Sequence, residues 1–325
     1  MTKRPRNDDY ISITKRKRHL TLWFDDGNII LTTNASLFRV HRCLLSMNSP
    51  VFADMLSMPQ PEHVEDGYEG FPLVEISDND TDFTHLLCFF YDHRYYQGGS
   101  ETTFEKISGL LRMSTKYQMD DLRDEVISHL AMAYPSTVKK YLEVVNGETP
   151  LPLFPPFRGQ HFAVVALARE TDASILLPAA LWRSMCMPTR DILKGAVDLN
   201  GTRYTLSPTD IELCMLRKAT VYKNLVRAEN TLSNILKKSE CIRQRERGDP
   251  SIWPCIEIAK SKVVHHFSSH GPPIRDDYDL MIDMRAFEAW RPLVCDSCRV
   301  LADLKVSVWH EDRWNSLPAL FDLPR

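Results

Sequence analysis

Four cysteines in the last third of the chain have side chains suited to binding a metal ion. Cys295 and Cys298 form a CxxC pair, and Cys241 and Cys255 precede it. Thiolates and imidazoles are ligands that tetrahedral zinc prefers. Three histidines lie nearby in the sequence: His265, His266 and His270. The long spacing between the two arms matches no zinc-finger pattern, so two interpretations stand: a structural zinc site, or a CxxC pair without metal near a helix start.

Sequence patterns for other kinds of catalysis are missing. The chain contains no GxSxG, GxxxxGK[ST], HExxH or GxGxxG motif. The pairs Asp25-Asp26 and Asp120-Asp121 do not suit acid–base catalysis, because residues adjacent in sequence do not face each other. We therefore predict that the protein is not an enzyme. A zinc-dependent hydrolase is a remote alternative, which would need a carboxylate or histidine beside an open metal position.

The first 19 residues are polar and basic without periodicity, which predicts a disordered leader. Two basic clusters lie in it, separated by ten residues: Lys3 and Arg4, then Lys15, Arg16, Lys17 and Arg18. This spacing resembles a bipartite nuclear import signal, and the alternative is a solvated basic tail. Tyr10 is the leader's single aromatic residue and the whole chain has a net charge of −3, so direct nucleic-acid binding is not expected.

Composition indicates a folded chain of two domains. Its 325 residues are 43% hydrophobic and 26% charged, which supports buried cores. The eight cysteines are scattered, as is typical of a reducing compartment. The most apolar segments, residues 162–168 and 175–182, are too short to span a bilayer. We expect an intracellular protein of the nucleus or cytoplasm that does not bind membranes.

The elements that must position these residues follow from hydrophobic spacing and turn residues. Residues 20–31 read as two short strands around Asp26-Gly27, a strong hairpin signal. Residues 147–159 are rich in proline and predict a linker, after which residues 160–325 read as helical. The longest helix is expected from Pro208 to about Lys238. Its apolar residues alternate at steps of three and four, which favours packing inside its own domain over a coiled coil.

The N-terminal third resembles the BTB/POZ family in several segments that occur in the family's order. The run LFRVHRCLLSMNSPVFADML (37–56) closely resembles the core signature, a strand followed by two short helices. VEISD (74–78) is similar to the family's next strand and helix cap. FTHLLCFFYDHRYY (83–96) and LLRMSTKYQMDDLRDEVISHL (110–130) resemble its later helices. The resemblance implies an α+β BTB/POZ domain, a small sheet covered by helices, which we place at residues 20–146.

This resemblance implies a role in binding other proteins as an adaptor or scaffold. Self-association into a homo-oligomer such as a dimer is expected, with Asp26 and Arg42 at positions that dimeric relatives hold near their interface. The first hypothesis is that the protein is a nuclear regulatory adaptor. The segments WFDDGNIIL, DMLSMPQP, LLPAALW and LPALF also resemble BTB proteins expanded in mushroom-forming fungi.

The alternative is a substrate adaptor of a cullin-type ubiquitin ligase. Such adaptors often carry an apolar residue two positions before a glutamate, in the loop after the core helices. In residues 58–70 the positions that precede each glutamate by two are polar or glycine: Gln60, His63 and Gly67. The motif is therefore absent, which weakens the hypothesis that the protein is a ligase adaptor.

Overall fold

The computed structural model describes residues 16–58, 68–145, 153–236, 241–245, 255–270, 281 and 285–324. The chain divides into two compact units. The first, here the N-terminal unit, comprises residues 1–132 and 151–155. The second, here the helical unit, comprises residues 133–150 and 156–325.

The described part of the N-terminal unit consists of a small sheet and a set of helices. Its elements are β1 (Lys17–Trp23), β2 (Ile29–Thr32), β3 (Ser36–Val40), α1 (Arg42–Asn48), α2 (Pro50–Ser57), β4 (Leu73–Glu75), α3 (Asp80–Tyr91), α4 (Phe104–Lys116) and α5 (Asp120–Ala131). This arrangement confirms the α+β fold predicted for the N-terminal region.

The four strands lie in the order β1-β3-β2-β4. β2 pairs with β3 in antiparallel fashion, whereas β1 pairs with β3 and β4 pairs with β2 in parallel fashion. All four residues of β2 are buried, because this strand lies inside the sheet under the helices. β1 is left as an edge strand, with one side free of any strand among the described residues.

The predicted hairpin around Asp26-Gly27 is wrong. The backbone N–H of Gly27 donates to Phe24 O at 3.0 Å, so a tight turn does form. β1 and β2 do not pair through it, because β3 lies between them. The backbone of Phe24 bonds to Arg39 O at 3.0 Å, and that of Asn28 bonds to Val40 O at 2.9 Å. The turn thus carries the chain across the end of β3.

Aromatic rings join the sheet to the helices. Phe52 of α2 stacks on Tyr117, with ring centroids 4.3 Å apart and planes only 7° from parallel. Phe83 of α3 meets Phe38 of β3 edge-on at 5.6 Å. Ser49 caps α2 by accepting from the backbone N–H of Phe52, and its hydroxyl donates to Tyr117 O at 2.7 Å. One core therefore includes both the sheet and the helices that cover it.

The described part of the helical unit is almost entirely helical, as predicted. Its helices are α6 (Val138–Val145), α7 (Gln160–Glu170), α8 (Leu177–Cys186), α9 (Thr189–Lys194), α10 (Pro208–Ile235), α11 (Ile242–Arg245), α12 (Cys255–His270), α13 (Arg285–Trp290), α14 (Asp296–Asn315) and α15 (Leu317–Leu320). Two strands of two residues each, β5 (Ala196–Val197) and β6 (Arg203–Tyr204), pair between α9 and α10. No described helix is both long enough and apolar enough to cross a membrane.

The long helix α10 begins at Pro208, where Ser207 accepts from the backbone N–H of Asp210. Cys214 and Val221 are buried and belong to the residues that alternate at steps of three and four, here called the seam. Lys218, between them, donates to Met187 O at 2.8 Å. α10 packs against α8 and α12. The first half of the seam therefore packs within the helical unit, as the sequence favoured.

Two boundaries differ from the sequence expectation. Strand β1 begins at Lys17, inside the residues expected to form a disordered leader. Helix α6 groups with the helical unit rather than with residues 20–146. The reason is contact with α14: the Tyr141 and Trp314 rings lie 4.8 Å apart, and Trp314 Nε1 donates to Ser136 O at 2.8 Å. Part of the predicted linker, residues 147–152, lies outside the described residues.

Candidate metal centre and interaction surface

Three separate segments of the helical unit contribute four cysteines whose side chains lie close together. Cys241 directly precedes α11, and Cys255 is the first residue of α12. Cys295 is the N-cap of α14, and Cys298 lies in that helix's first turn. An N-cap residue and one in the first turn lie close together at a helix start, which is why the CxxC pair converges. The local sequence thus arranges two ligand atoms, and tertiary packing adds the other two.

The four sulfur atoms all lie within 4.8 Å of one another. Cys241 Sγ and Cys295 Sγ are 4.0 Å apart. The backbone N–H of Cys295 donates to Cys255 Sγ at 3.2 Å. The structure therefore brings together the four cysteines that the sequence singled out. Among the described residues this metal-ligand group contains cysteine alone, and His265 is exposed on α12. The side chains of His266 and His270 lie outside the description.

The thiols of this cluster differ in acidity. Burial raises the pKa of Cys295, but hydrogen bonds from the backbone N–H groups of Cys298 and Ile242 and from neighbouring thiols outweigh it, giving a pKa of about 6. Burial raises the pKa of Cys255 to about 11, although the N–H of Cys295 opposes the shift. Burial and the thiol of Cys295 also raise the pKa of Cys298. Of these three thiols, Cys295 therefore ionises most readily.

Apolar side chains surround the four sulfurs. Cys241, Cys255 and Cys298 are buried within a hydrophobic cluster, which is completed by Leu236, Ala259, Val263, Phe287, Trp290, Val294 and Ala302. Trp290 is fully buried and meets Phe287 edge-on, with ring centroids 5.0 Å apart. This enclosure was missed from the sequence, because its members come from the end of α10, from α12, α13 and α14, and from the segment before α14. An apolar surrounding of this kind excludes water and leaves the sulfurs facing one another.

The residues proposed for a dimer interface lie near the end of the sheet. Asp26 is in the turn after β1, with 85% of its side chain exposed, and its carboxylate lies 3.3 Å from His41 Nε2. The Nδ1 atom of His41 lies 2.9 Å from the Tyr91 hydroxyl. Arg42 donates through Nη2 to Leu56 O at 2.5 Å. Asp26 is therefore open to a partner, whereas the guanidinium of Arg42 is held by its own fold.

An exposed leucine on the edge strand was not anticipated from the sequence. Leu20 is 98% exposed, whereas Leu22, two residues on, is buried. Regular strands place such residues on one face. Here the pairing of β1 with β3 is irregular between Arg18 and Trp23. His19 Nδ1 accepts from the backbone N–H of Leu22 at 3.2 Å, which turns the chain locally. The irregularity thus places a large apolar side chain in solvent at the sheet's edge.

The predicted import signal is only partly described. Lys3, Arg4 and Lys15 lie outside the described residues. Arg16 pairs with Glu75 at 2.6 Å, and its side chain is only 11% exposed. Arg18 pairs with a carboxylate of the same unit and lies over the Trp23 ring, 4.5 Å from its centroid. The last residues of the second basic cluster are therefore engaged in the sheet.

Comparison with known proteins agrees with the architecture of the N-terminal unit. No curated protein matches the chain. Residues 25–132 match the model of the BTB/POZ domain, a family whose members generally act as protein–protein interaction modules. The match covers β2, β3, β4 and the helices α1 to α5. The N-terminal unit of this chain therefore contains a BTB/POZ domain.

Proposed function

We propose that this protein is a non-enzymatic adaptor or scaffold that recruits other proteins through its BTB/POZ domain. The observation that carries the proposal is the family match over residues 25–132. The protein acts inside the cell, in keeping with eight cysteines scattered through the chain and none paired in a disulfide. We also propose that the chain is one of the BTB proteins expanded in mushroom-forming fungi, which several of its segments resemble.

Self-association is the first interaction we assign to the domain. Within the described part of the chain β1 is an edge strand, and edge strands offer unpaired backbone groups to another chain. Leu20 on this strand is almost fully exposed, and so is Met47 on α1. Burying such side chains between two copies removes apolar area from water, and a twofold dimer uses each patch twice. Asp26, in the turn after β1, is also exposed and open to a partner.

Light scattering of the full-length protein at micromolar concentration tests self-association. We expect the mass of a dimer for the natural chain and of a monomer for Leu20→Asp, which puts a charge into the interface. Leu199→Asp is the matched control, because Leu199 is equally exposed but lies in the helical unit. A monomer mass for the natural chain, or dimers of Leu20→Asp as stable as those of the control, would refute this interface.

A nuclear role is the second part of the proposal, and it rests on the basic clusters at the N-terminus. Arg16 and Arg18 have contacts in the sheet that would compete with an import receptor. A cleaner test therefore replaces Lys3, Arg4 and Lys15 with alanine, which leaves those contacts intact. We expect a fluorescent fusion of this variant to move from the nucleus toward the cytoplasm. An unchanged distribution would leave the clusters as a solvated tail.

Recruitment of substrates to a cullin-type ubiquitin ligase is the alternative function. In residues 58–70 no apolar residue stands two positions before a glutamate, as it does in such adaptors, and residues 59–67 lie outside the described part of the chain. Affinity purification of the full-length protein with mass spectrometry separates the two functions. Stoichiometric recovery of a cullin would favour the ligase adaptor, and recovery of nuclear regulators without a cullin would favour the first proposal.

A zinc-dependent hydrolase is the remaining alternative, and the four-cysteine cluster argues against it. Hydrolytic zinc needs three protein ligands and a position open to water. Four sulfurs that all lie within 4.8 Å of one another would fill a tetrahedral shell. We therefore assign a structural role to any metal held there.

A further inference from the structure

We propose that Cys241, Cys255, Cys295 and Cys298 bind one zinc ion that crosslinks three segments of the helical unit. This inference is independent of the interaction role of the BTB/POZ domain, because all four ligands belong to the helical unit.

The geometry of the sulfurs is the first support. Zinc binds thiolate at about 2.3 Å, so a tetrahedral shell places the sulfurs ~3.8 Å from one another. The observed separations are at most 4.8 Å, and that between Cys241 and Cys295 is 4.0 Å. Small side-chain rotations bridge this difference. A cluster of two or four irons would hold the sulfurs farther apart than a single ion does.

The alternatives explain the convergence less well. Cysteines that only fill a core behave as small apolar side chains, and nothing then directs four sulfur atoms to one point. A disulfide needs sulfurs about 2.05 Å apart and joins them only in pairs. Here each of the four sulfurs faces the other three. Four thiolates around one ion account for this arrangement directly.

Backbone N–H groups supply the second support, because four thiolates around a divalent ion leave excess negative charge. The N–H of Cys295 donates to Cys255 Sγ at 3.2 Å. The N–H groups of Cys298 and Ile242 donate to the sulfur of Cys295. α12 and α14 both begin at the cluster, so their N-terminal dipoles also favour anions there. Such outer contacts orient metal ligands and stabilise their charge.

The chemical surroundings select the metal and its role. A tetrahedral set of four thiolates suits zinc or a single iron, and disfavours magnesium and calcium. The apolar side chains around the sulfurs, Trp290 among them, exclude water from the shell. The ligands lie 54 positions apart for Cys241 and Cys295, and 40 for Cys255 and Cys295. The ion thus closes long loops and fixes the start of α12 to the start of α14.

Metal analysis of the purified full-length protein, free of any metal-binding tag, tests the proposal. We expect about one zinc per chain, and tetrahedral cobalt–thiolate absorption when cobalt replaces zinc. Cys298→Ser should lose the metal, because serine is a poor ligand for this ion. Cys214→Ser is the matched control: Cys214 is equally buried in the same unit but lies on α10, outside the cluster. It should keep its zinc.

Thiol labelling keeps the test decisive if Cys298→Ser does not fold. In the natural protein the four cysteines should resist alkylation until a zinc chelator is added, whereas the exposed Cys43 should react at once. Folded protein without zinc, iron in its place, a disulfide among the four residues, or alkylation that the chelator does not accelerate would each overturn the proposal.

Discussion

Contacts between distant parts of the N-terminal unit include stacked aromatic rings and a buried hydroxyl group, whereas the starts of α12 and α14 converge on four sulfurs. Phe52 and Tyr117 stack across 65 positions of sequence, and Ser49 bonds to Tyr117 O. In the helical unit, Cys241 and Cys255 meet Cys295 across 54 and 40 positions of sequence. The first kind of contact is complete within the chain. The second is complete only with the ion we propose, so the two units should respond differently to metal.

Removing zinc should have the largest effect and should separate the two units. Structural zinc sites of four ligands contribute on the order of 10 kcal/mol in small domains. We expect a chelator to abolish amide protection in α12, α13 and α14 while that of α4 and α5 persists. Hydrogen exchange with mass spectrometry measures both in one sample. Equal loss of protection in the two units, or none in either, would contradict a metal site confined to the helical unit.

Shortening Phe52 should produce the opposite pattern. This side chain is fully buried between Tyr117 and Phe83, so Phe52→Ala leaves a cavity in the N-terminal unit. Losses of this kind cost about 3–5 kcal/mol. Chemical denaturation followed by probes of each unit should show the N-terminal unit destabilised and the zinc content unchanged. Loss of metal in Phe52→Ala would contradict the independence of the two cores.

How far the sequence predicts each region depends on how local its contacts are. The pattern of residues 37–56 contains a strand, a Ser-Pro helix start and a second helix in one continuous run, so the BTB/POZ fold could be recognised directly. The hairpin prediction failed because pairing is not local: β3, which follows β2, inserts between β1 and β2. Period-two spacing likewise predicts that Leu20 is buried with Leu22, and it cannot reveal the irregularity that exposes Leu20.

The four-cysteine cluster could likewise be predicted only in part from the sequence. The residue types suggested a common site, and the structure confirms that the sulfurs meet. Only the CxxC pair is brought together by local structure, at the start of α14. The approach of Cys241 and Cys255, the apolar enclosure and the buried Trp290 depend on packing between helices far apart in sequence. No spacing rule predicts those contacts.

The smallest expected effect concerns Ser49, whose hydroxyl ties the start of α2 to the segment after α4. It accepts from the backbone N–H of Phe52 at 3.2 Å and donates to Tyr117 O at 2.7 Å. Ser49→Ala removes the helix cap and leaves a buried carbonyl without this donor, which should cost about 1–2 kcal/mol. Urea denaturation of the N-terminal unit measures the loss.

Ser57→Ala is the matched control at the other end of α2. The exposed hydroxyl of Ser57 donates to Asp54 O, so the effect of this substitution should be within about 0.5 kcal/mol. Because neither serine contacts the cysteine cluster, both variants should keep their zinc. Equal destabilisation by the two substitutions would mean that the Ser49 hydroxyl does not stabilise the junction between α2 and the segment after α4.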